Sequence, residues 1–364
     1  MQLPAVFPCP YSVSMKTWDA ILVGGGLIGV SLALALRRHG AQVLVVERGE
    51  PGREASYAAA GMLADLDAHT PQVLRPLAVA SARLYPEFVH ELRDECGAEV
   101  DLRDQGTIFF PDPNAPPGAV ASSVTDGARL KELEPCLNYV GVAELLYERS
   151  VDPRALIMAA LKAAKHRGIE IASGSAATGL IVEHGAAVGV RTARTEFHAP
   201  VVVNCGGAWA GQIGPQAPAK PVKGQMLALI APRRDLLRHV VRAPDVYLVP
   251  RSDGRILVGS TLEDAGFDKR VDAAVIQRLH QAAAKLAPDL GQARMLEAWA
   301  GLRPGTPDEL PLLGRGDIDG YFIAGGHYRN GILLAPITAL LMTQVIRGLP
   351  PELDLSPFSP ERFP

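Results

Sequence analysis

The sequence predicts an α/β chain, with a parallel αβ core built from both ends and a β-rich domain inserted between them. Three observations carry this. The run "DAILVGGGLIGVSLALALRRHGAQVLVVERG" puts a glycine-rich turn between a strand and a helix near the start of the chain. The run "GYFIAGGHYRNG" puts a second strand and turn ahead of an apolar helix near its end. Between them, from about residue 171 to 258, short alternating strands are separated by turn signals.

Taken in order, residues 19–23 read as a strand, the helix runs from the turn to about His39, and residues 42–47 form the next strand. A longer helix spans about 74–96. "PDPNAPPGAVASSVTDG" is rich in Pro, Gly, Ser and Asp and reads as a loop or strand connection. "VDPRALIMAALKAAKHRGIEIA" is a helix opened by Pro153 and stopped by Gly168, with a strand after it. "APVVVNCGGAWA" contains a buried strand, and residues 272–286 read as a helix. The last helix covers residues 332–346, is apolar nearly all round and should be buried.

Composition narrows the class. At 364 residues the chain can bury a large core and divide into two domains. Charged residues make up 21% and the net charge is -3, which gives no reason to expect nucleic acid or a membrane surface as partner. The uncharged stretch 20–36 is too short for a typical membrane span. Cys9, Cys96, Cys136 and Cys205 are scattered without metal-like spacing, so free thiols and a cytoplasmic location are expected. The first residues lack a basic segment before an apolar one, and residues 1–14 read as an upstream start or an arm.

Gly24-x-Gly26-x-x-Gly29 follows a strand and opens a helix, and Glu47 ends the next strand. That is the dinucleotide fingerprint in its required context. The first glycine allows the tight turn, the second lets the backbone approach a pyrophosphate, and the third lets helix and strand pack closely. The helix N-terminus offers unpaired N–H groups to phosphate. Glu47 can accept from ribose hydroxyls and would repel a 2′-phosphate. The fingerprint alone does not separate FAD from NAD.

The set "GGGLIG", "VVERG", "SYAAAGMLA", "NCGGAWAG", "PVKGQML", "YLVPR", "GLRPGTPDELPLLG" and "GGHYRNGILLAP" resembles the D-amino-acid oxidase superfamily of FAD enzymes, and within it the glycine oxidases of thiamine biosynthesis. The resemblance covers nearly the whole chain beyond residue 15. It implies an FAD-binding Rossmann-like domain of the glutathione-reductase type, with an inserted antiparallel-sheet α+β substrate domain. Residues 16–75, 150–210 and 303–364 would bind FAD, residues 76–149 and 211–302 would form the substrate domain, and residues 1–15 would be an N-terminal extension. Leu27 and Ile28, with Glu47 and Arg48, would hold the ADP half. Ala55, Ser56, Ala60, Gly61 and Met62 would line the pyrophosphate and flavin, and Ala177 would meet the adenine. His327, Tyr328, Arg329, Asn330, Gly331, Ile332 and Leu333 would wrap the pyrimidine side of the ring, with the N-terminus of the last helix against it.

Of the substrate site, the resemblance implies that Arg303 clamps an amino-acid carboxylate through bidentate hydrogen bonds. Tyr247 would be a second contact, Arg329 would project over the ring, and Leu262 would wall the pocket. On their residues alone, Arg303 equally reads as a turn arginine, Arg329 as a surface ion-pair partner, Tyr247 as a strand tyrosine and Leu262 as core. His327 reads as a packed turn residue rather than a general base, and Trp209 and Trp299 read as core. The flavin carries the hard chemistry, so no catalytic residue beyond it is expected. No cysteine lies in the C-terminal region and no histidine in "SYAAAG", so the FAD should be non-covalent.

The expected activity is oxidation of glycine, sarcosine and small D-amino acids by oxygen, in a homo-oligomer with no nucleic-acid or metal partner. A D-amino-acid dehydrogenase passing electrons to a quinone, a non-catalytic FAD-holding assembly factor and an NAD-linked dehydrogenase stay open as alternatives.

Overall fold

Ala20–Val23 and Val43–Val46 are apolar and buried at every position, as strands covered on both faces must be. They lie in a six-stranded sheet in the computed structural model, which describes residues 17–67, 70–111, 123–138 and 143–363. The strand order is Leu312–Arg315, Tyr321–Gly325, Val202–Asn204, Ala20–Val23, Val43–Val46, Glu170–Ala172. Neighbours are parallel except for the first pair, so both ends of the chain meet in one sheet, as expected. Alternate residues feed alternate cores: Ala20 and Leu22 join one cluster, Ile21 and Val23 the other.

Four helices, Leu27–Arg38, Arg75–Cys96, Pro153–His166 and Ala335–Ile346, contribute to the first of those cores. Pro153 occupies the first turn of its helix, and Asp152 caps it by accepting from the N–H groups of Arg154 and Ala155. Residues 1–16, and with them the arm expected over residues 1–14, lie outside the described residues. Of the expected connection at 111–127, residues 112–122 also lie outside; Ser123–Thr125 form a strand, and Asp126 caps the helix Gly127–Leu133.

The second large sheet has eight strands in the order Arg294–Gly305, Lys220–Ile230, Arg255–Gly259, Tyr247–Pro250, Val240–Arg242, Thr107–Phe109, Ala143–Leu146, Ser123–Thr125. It is antiparallel apart from one pair, Val240–Arg242 with Thr107–Phe109. The helix Ala273–Leu286 closes its apolar side. Among the described residues no helix is long and apolar enough to cross a membrane, and Cys96, Cys136 and Cys205 are free thiols. Cys9 lies outside the described residues.

Three sequence expectations need correction. Arg303 is not in a turn after a strand. The strand Arg294–Gly305 runs through it and through Pro304. Pro304 is tolerated because this strand is the sheet edge and its missing N–H removes no ladder bond on the open side. The last helix begins at Ala335, three residues later than expected. Pro336 has no N–H to bond the Ile332 carbonyl, which accepts from the Tyr85 hydroxyl instead, while Leu333 O accepts from Ser81 Oγ at 2.6 Å. Trp209 and Trp299 are half-buried rather than core. Trp209 lies under Arg48 and stacks on Phe267, and Trp299 donates to Ala58 O at 3.0 Å.

Candidate active site

A cavity of about 640 Å³ is lined from both large sheets. At one end is the glycine turn. Gly24 has φ +119°, and a Cβ there would sit 2.3 Å from Cys205 O. A Cβ on Gly29 would sit 2.1 Å from Gly24 O, so the third glycine is fixed by the turn folding back on its own helix. Around Gly26 the nearest obstacle to a Cβ is Ser56 Oγ at 3.3 Å, and the turn there faces the cavity. Gly26 is also the N-cap of the helix Leu27–Arg38 and brings no side chain to close it. Ser56 Oγ takes the Leu27 N–H at 2.9 Å, a contact that no sequence pattern signalled.

Glu47 is buried, and its two oxygens accept from Gly25 N at 2.7 Å and Gly49 N at 2.9 Å. The carboxylate thus braces the turn as well as lining the cavity, and each oxygen keeps a lone pair for a hydroxyl. Beside it Arg48 lies 3.5 Å over the Trp209 ring and pairs with Glu54 at 2.6 Å. Ala55 and Ser56 sit in the short helix Ala55–Ala58, and Ala60, Gly61 and Met62 follow it along the wall. Ile28, Ala177, Tyr328, Asn330, Gly331 and Ile332 also reach the cavity. Gly29 and Leu333, of the residues expected there, do not.

The turn after Gly325 carries His327, which is 3% exposed and shares a hydrogen bond with Thr338 Oγ1 at 2.9 Å. Burial pushes its pKa down to about 3, so near neutral pH it is uncharged and a poor general base. The N–H groups of Gly331, Ile332 and Leu333 have no acceptor among the described residues. Unpaired amides at such a turn offer donors to an electron-rich ring edge.

At the other end lies the expected substrate space. Arg303 Nη1 donates to Thr261 O at 3.1 Å and Nη2 to Ser260 Oγ at 2.8 Å. Its guanidinium rests on the backbone of Gly224, where a Cβ would come within 2.2 Å of Nη1. Two of its five N–H donors are used in holding it, so the fork keeps donors for a carboxylate. Tyr247 lies over Gly259 with its hydroxyl 3.4 Å from Met226 Sδ. Leu262, 59% exposed, stands at the cavity rim rather than in the core.

Arg329 is half-exposed and reaches within 4.0 Å of Asp67, the acid partner that its sequence alone had left open. Asp67 is also bound by Arg242 at 3.0 Å, and Arg242 pairs with buried Glu148 at 3.1 Å. Burial pushes the Glu148 carboxyl up, and Arg242 opposes that. Arg242 and Asp67 both line the cavity, and sequence reasoning found neither. Arg242 is the cross-strand partner of Tyr247, so only strand register could have signalled it.

The family model for FAD dependent oxidoreductases matches residues 19–345. The chain belongs to that family. It is 32% identical to hydrogen cyanide synthase subunit HcnC of Pseudomonas aeruginosa, over 96% of this chain and 97% of that one. It is 37% identical to the bifunctional protein ThiO/ThiG of Synechocystis sp., over 95% of this chain but 54% of that one, so it spans about half of that relative. The crystal structure of glycine oxidase from Geobacillus kaustophilus superposes with a TM-score of 0.90 at 32% identity, covering 96% of this chain and 100% of that one. The resemblance read from the motifs, the fold class and the dependence on FAD are borne out.

The residues present fit FAD. The glycine cradle, the open helix N-terminus and the unpaired amides at 331–333 are what a pyrophosphate and a flavin edge require.

Proposed function

We propose that the chain is an FAD-dependent amine oxidase that deaminates glycine and other small primary or secondary amines, among them sarcosine and small D-amino acids. The overall conversion of glycine is glycine + O₂ + H₂O → glyoxylate + NH₃ + H₂O₂. When bound, without a covalent link, FAD would supply the two-electron chemistry between the amine Cα and oxygen. The protein's own part is orientation. Arg303 binds the carboxylate bidentately, the Tyr247 hydroxyl adds a second contact, and Arg329 reaches in from the 325–331 turn. These contacts fix the direction of Cα, where alignment is worth most.

The observation that carries this reading is the seating of Arg303, a guanidinium pinned by Thr261 O and Ser260 Oγ with donors to spare on the cavity wall. A protein that held FAD only as a structural element would have no use for it. The resemblance to glycine oxidases of thiamine biosynthesis further supports feeding the imine product into thiazole synthesis.

Oxygen uptake by the purified protein with glycine, with glyoxylate, ammonia and peroxide assayed together, tests the reading. Equal yields of the three support it. Absence of oxygen uptake with rapid reduction of a quinone would point to the dehydrogenase. A second reading is favoured by the similarity to a hydrogen cyanide synthase subunit over nearly the whole chain. Cyanide in place of glyoxylate in the same assay would establish it.

A further inference from the structure

Arg251 is among the largest fully buried side chains, at 2% exposure, although it sits in the turn between Tyr247–Pro250 and Arg255–Gly259, from which an arginine could reach water. Its only direct side-chain hydrogen bond among the described residues joins Nη2 to the carbonyl of Ala60 at 2.5 Å. Nε and Nη1 are buried without a hydrogen-bond partner among the described residues. The nearest carboxylate, Asp152, is 4.0 Å from Nε and is already bound by Arg255 at 2.8 Å. Burying a guanidinium so poorly paired is costly, and replacement by an apolar side chain would ordinarily be neutral or better. Its one firm contact therefore indicates what it is for.

That contact is with the cavity wall. Ala60 and Gly61 line the cavity and Arg251 does not. Gly259–Ser260 is the one cis peptide bond among the described residues, so the Ala60–Gly61 unit is trans and planar, and its N–H points opposite its C=O. With the carbonyl drawn outward to Arg251, the Gly61 N–H faces the other way. Gly61 is buried, and this N–H has no acceptor among the described residues. The rest of the residue is fixed: its carbonyl accepts from Val151 N at 2.8 Å, and its φ is +75°. A buried N–H is rarely left unpaired in a native protein, so a ligand atom is the expected partner.

We propose that Arg251 is a positioning residue: by holding the Ala60 carbonyl it aims the Gly61 N–H into the cavity as a hydrogen-bond donor to the bound flavin. The proposal rests on the family's FAD and not on which amine is oxidised.

The test is FAD binding to the apoprotein of the full chain, read by the dissociation constant and by the visible absorption and circular dichroism of the bound flavin. Arg251→Met should weaken FAD at least about tenfold, as the loss of one buried donor predicts, and should shift the flavin bands. Arg251→Lys keeps a cationic donor and should recover most of both effects. Val258→Ala, a buried change elsewhere in the same sheet, should lower thermal stability and leave the flavin spectrum alone. If Arg251→Met loses stability yet binds FAD with unchanged affinity and bands, the residue is merely structural and the proposal is overturned. If Arg251→Met does not fold, amide exchange at Gly61 in the wild-type chain decides: strong slowing on addition of FAD supports the proposal, and no slowing overturns it. Failure of the wild-type chain to bind FAD at all would instead sink the family reading beneath it.

Discussion

Gly224→Ala places one methyl group under the proposed carboxylate clamp. Its Cβ would lie 2.2 Å from Arg303 Nη1 and 2.6 Å from both Cζ and Nη2, so the whole guanidinium plane is struck at once. The backbone cannot give way easily, because Gly224 is paired across the ladder with Gly301, and a Cβ at Gly301 would in turn meet Ala58. The guanidinium must lift by about 1 Å, and a misplacement of that size at a substrate-positioning group costs on the order of 100-fold in rate. The obstacle is the far end of a flexible side chain, so stability should change little, with a thermal midpoint within about 3 °C of wild type. The assay is steady-state oxygen uptake with glycine, alongside flavin content and thermal unfolding. Here kcat/KM should fall about 100-fold with FAD retained. An unchanged kcat/KM would refute the claim that Arg303 works from this seat.

Other outcomes follow from the same geometry. Arg303→Ala should cost at least about 3 kcal/mol, roughly 150-fold in kcat/KM for glycine, with Arg303→Lys intermediate because it keeps the charge and loses the fork. Gly29→Ala drives a methyl group into the Gly24 carbonyl; it should destabilise by about 1–3 kcal/mol and weaken FAD, measured by urea unfolding and flavin release. His327 has a folded pKa of about 3, below the ordinary value, so between about pH 6.5 and 3 the unfolded chain binds the proton that the folded chain does not. Its contribution to stability is complete above that window and is lost as pH falls, with a slope of up to ~1.4 kcal/mol per pH unit. The urea midpoint of His327→Asn should therefore depend less on pH between about 6.5 and 4.5 than that of wild type.

Much of the dinucleotide end was legible because backbone sterics wrote it. Gly24 and Gly29 stand where any Cβ would overlap a carbonyl, and Glu47 stands where it can gather the amides of Gly25 and Gly49. The strands of the central sheet read clearly because they are apolar on both faces. What could not be read depends on long-range neighbours. The late start of the last helix is set by Pro336 together with Ser81 and Tyr85 from a helix some 250 residues earlier. Trp209 leaves the core because Arg48 and Phe267 enclose its ring, and neither is near it in sequence. Arg242 and Asp67 reach the cavity through strand pairings and ion pairs that no local pattern announces. Arg303 looked like a turn residue because Pro304 and Gly305 follow it; an edge strand tolerates both.

Amine oxidation by the bound flavin is tested most simply by mixing the purified protein anaerobically with glycine and then admitting air, following the visible flavin band. Glycine should bleach the band, and air should restore it with stoichiometric release of peroxide. A band unchanged by glycine, sarcosine and D-alanine alike would contradict it, and the substrate roles assigned to Arg303, Tyr247 and Arg329 would fall with it.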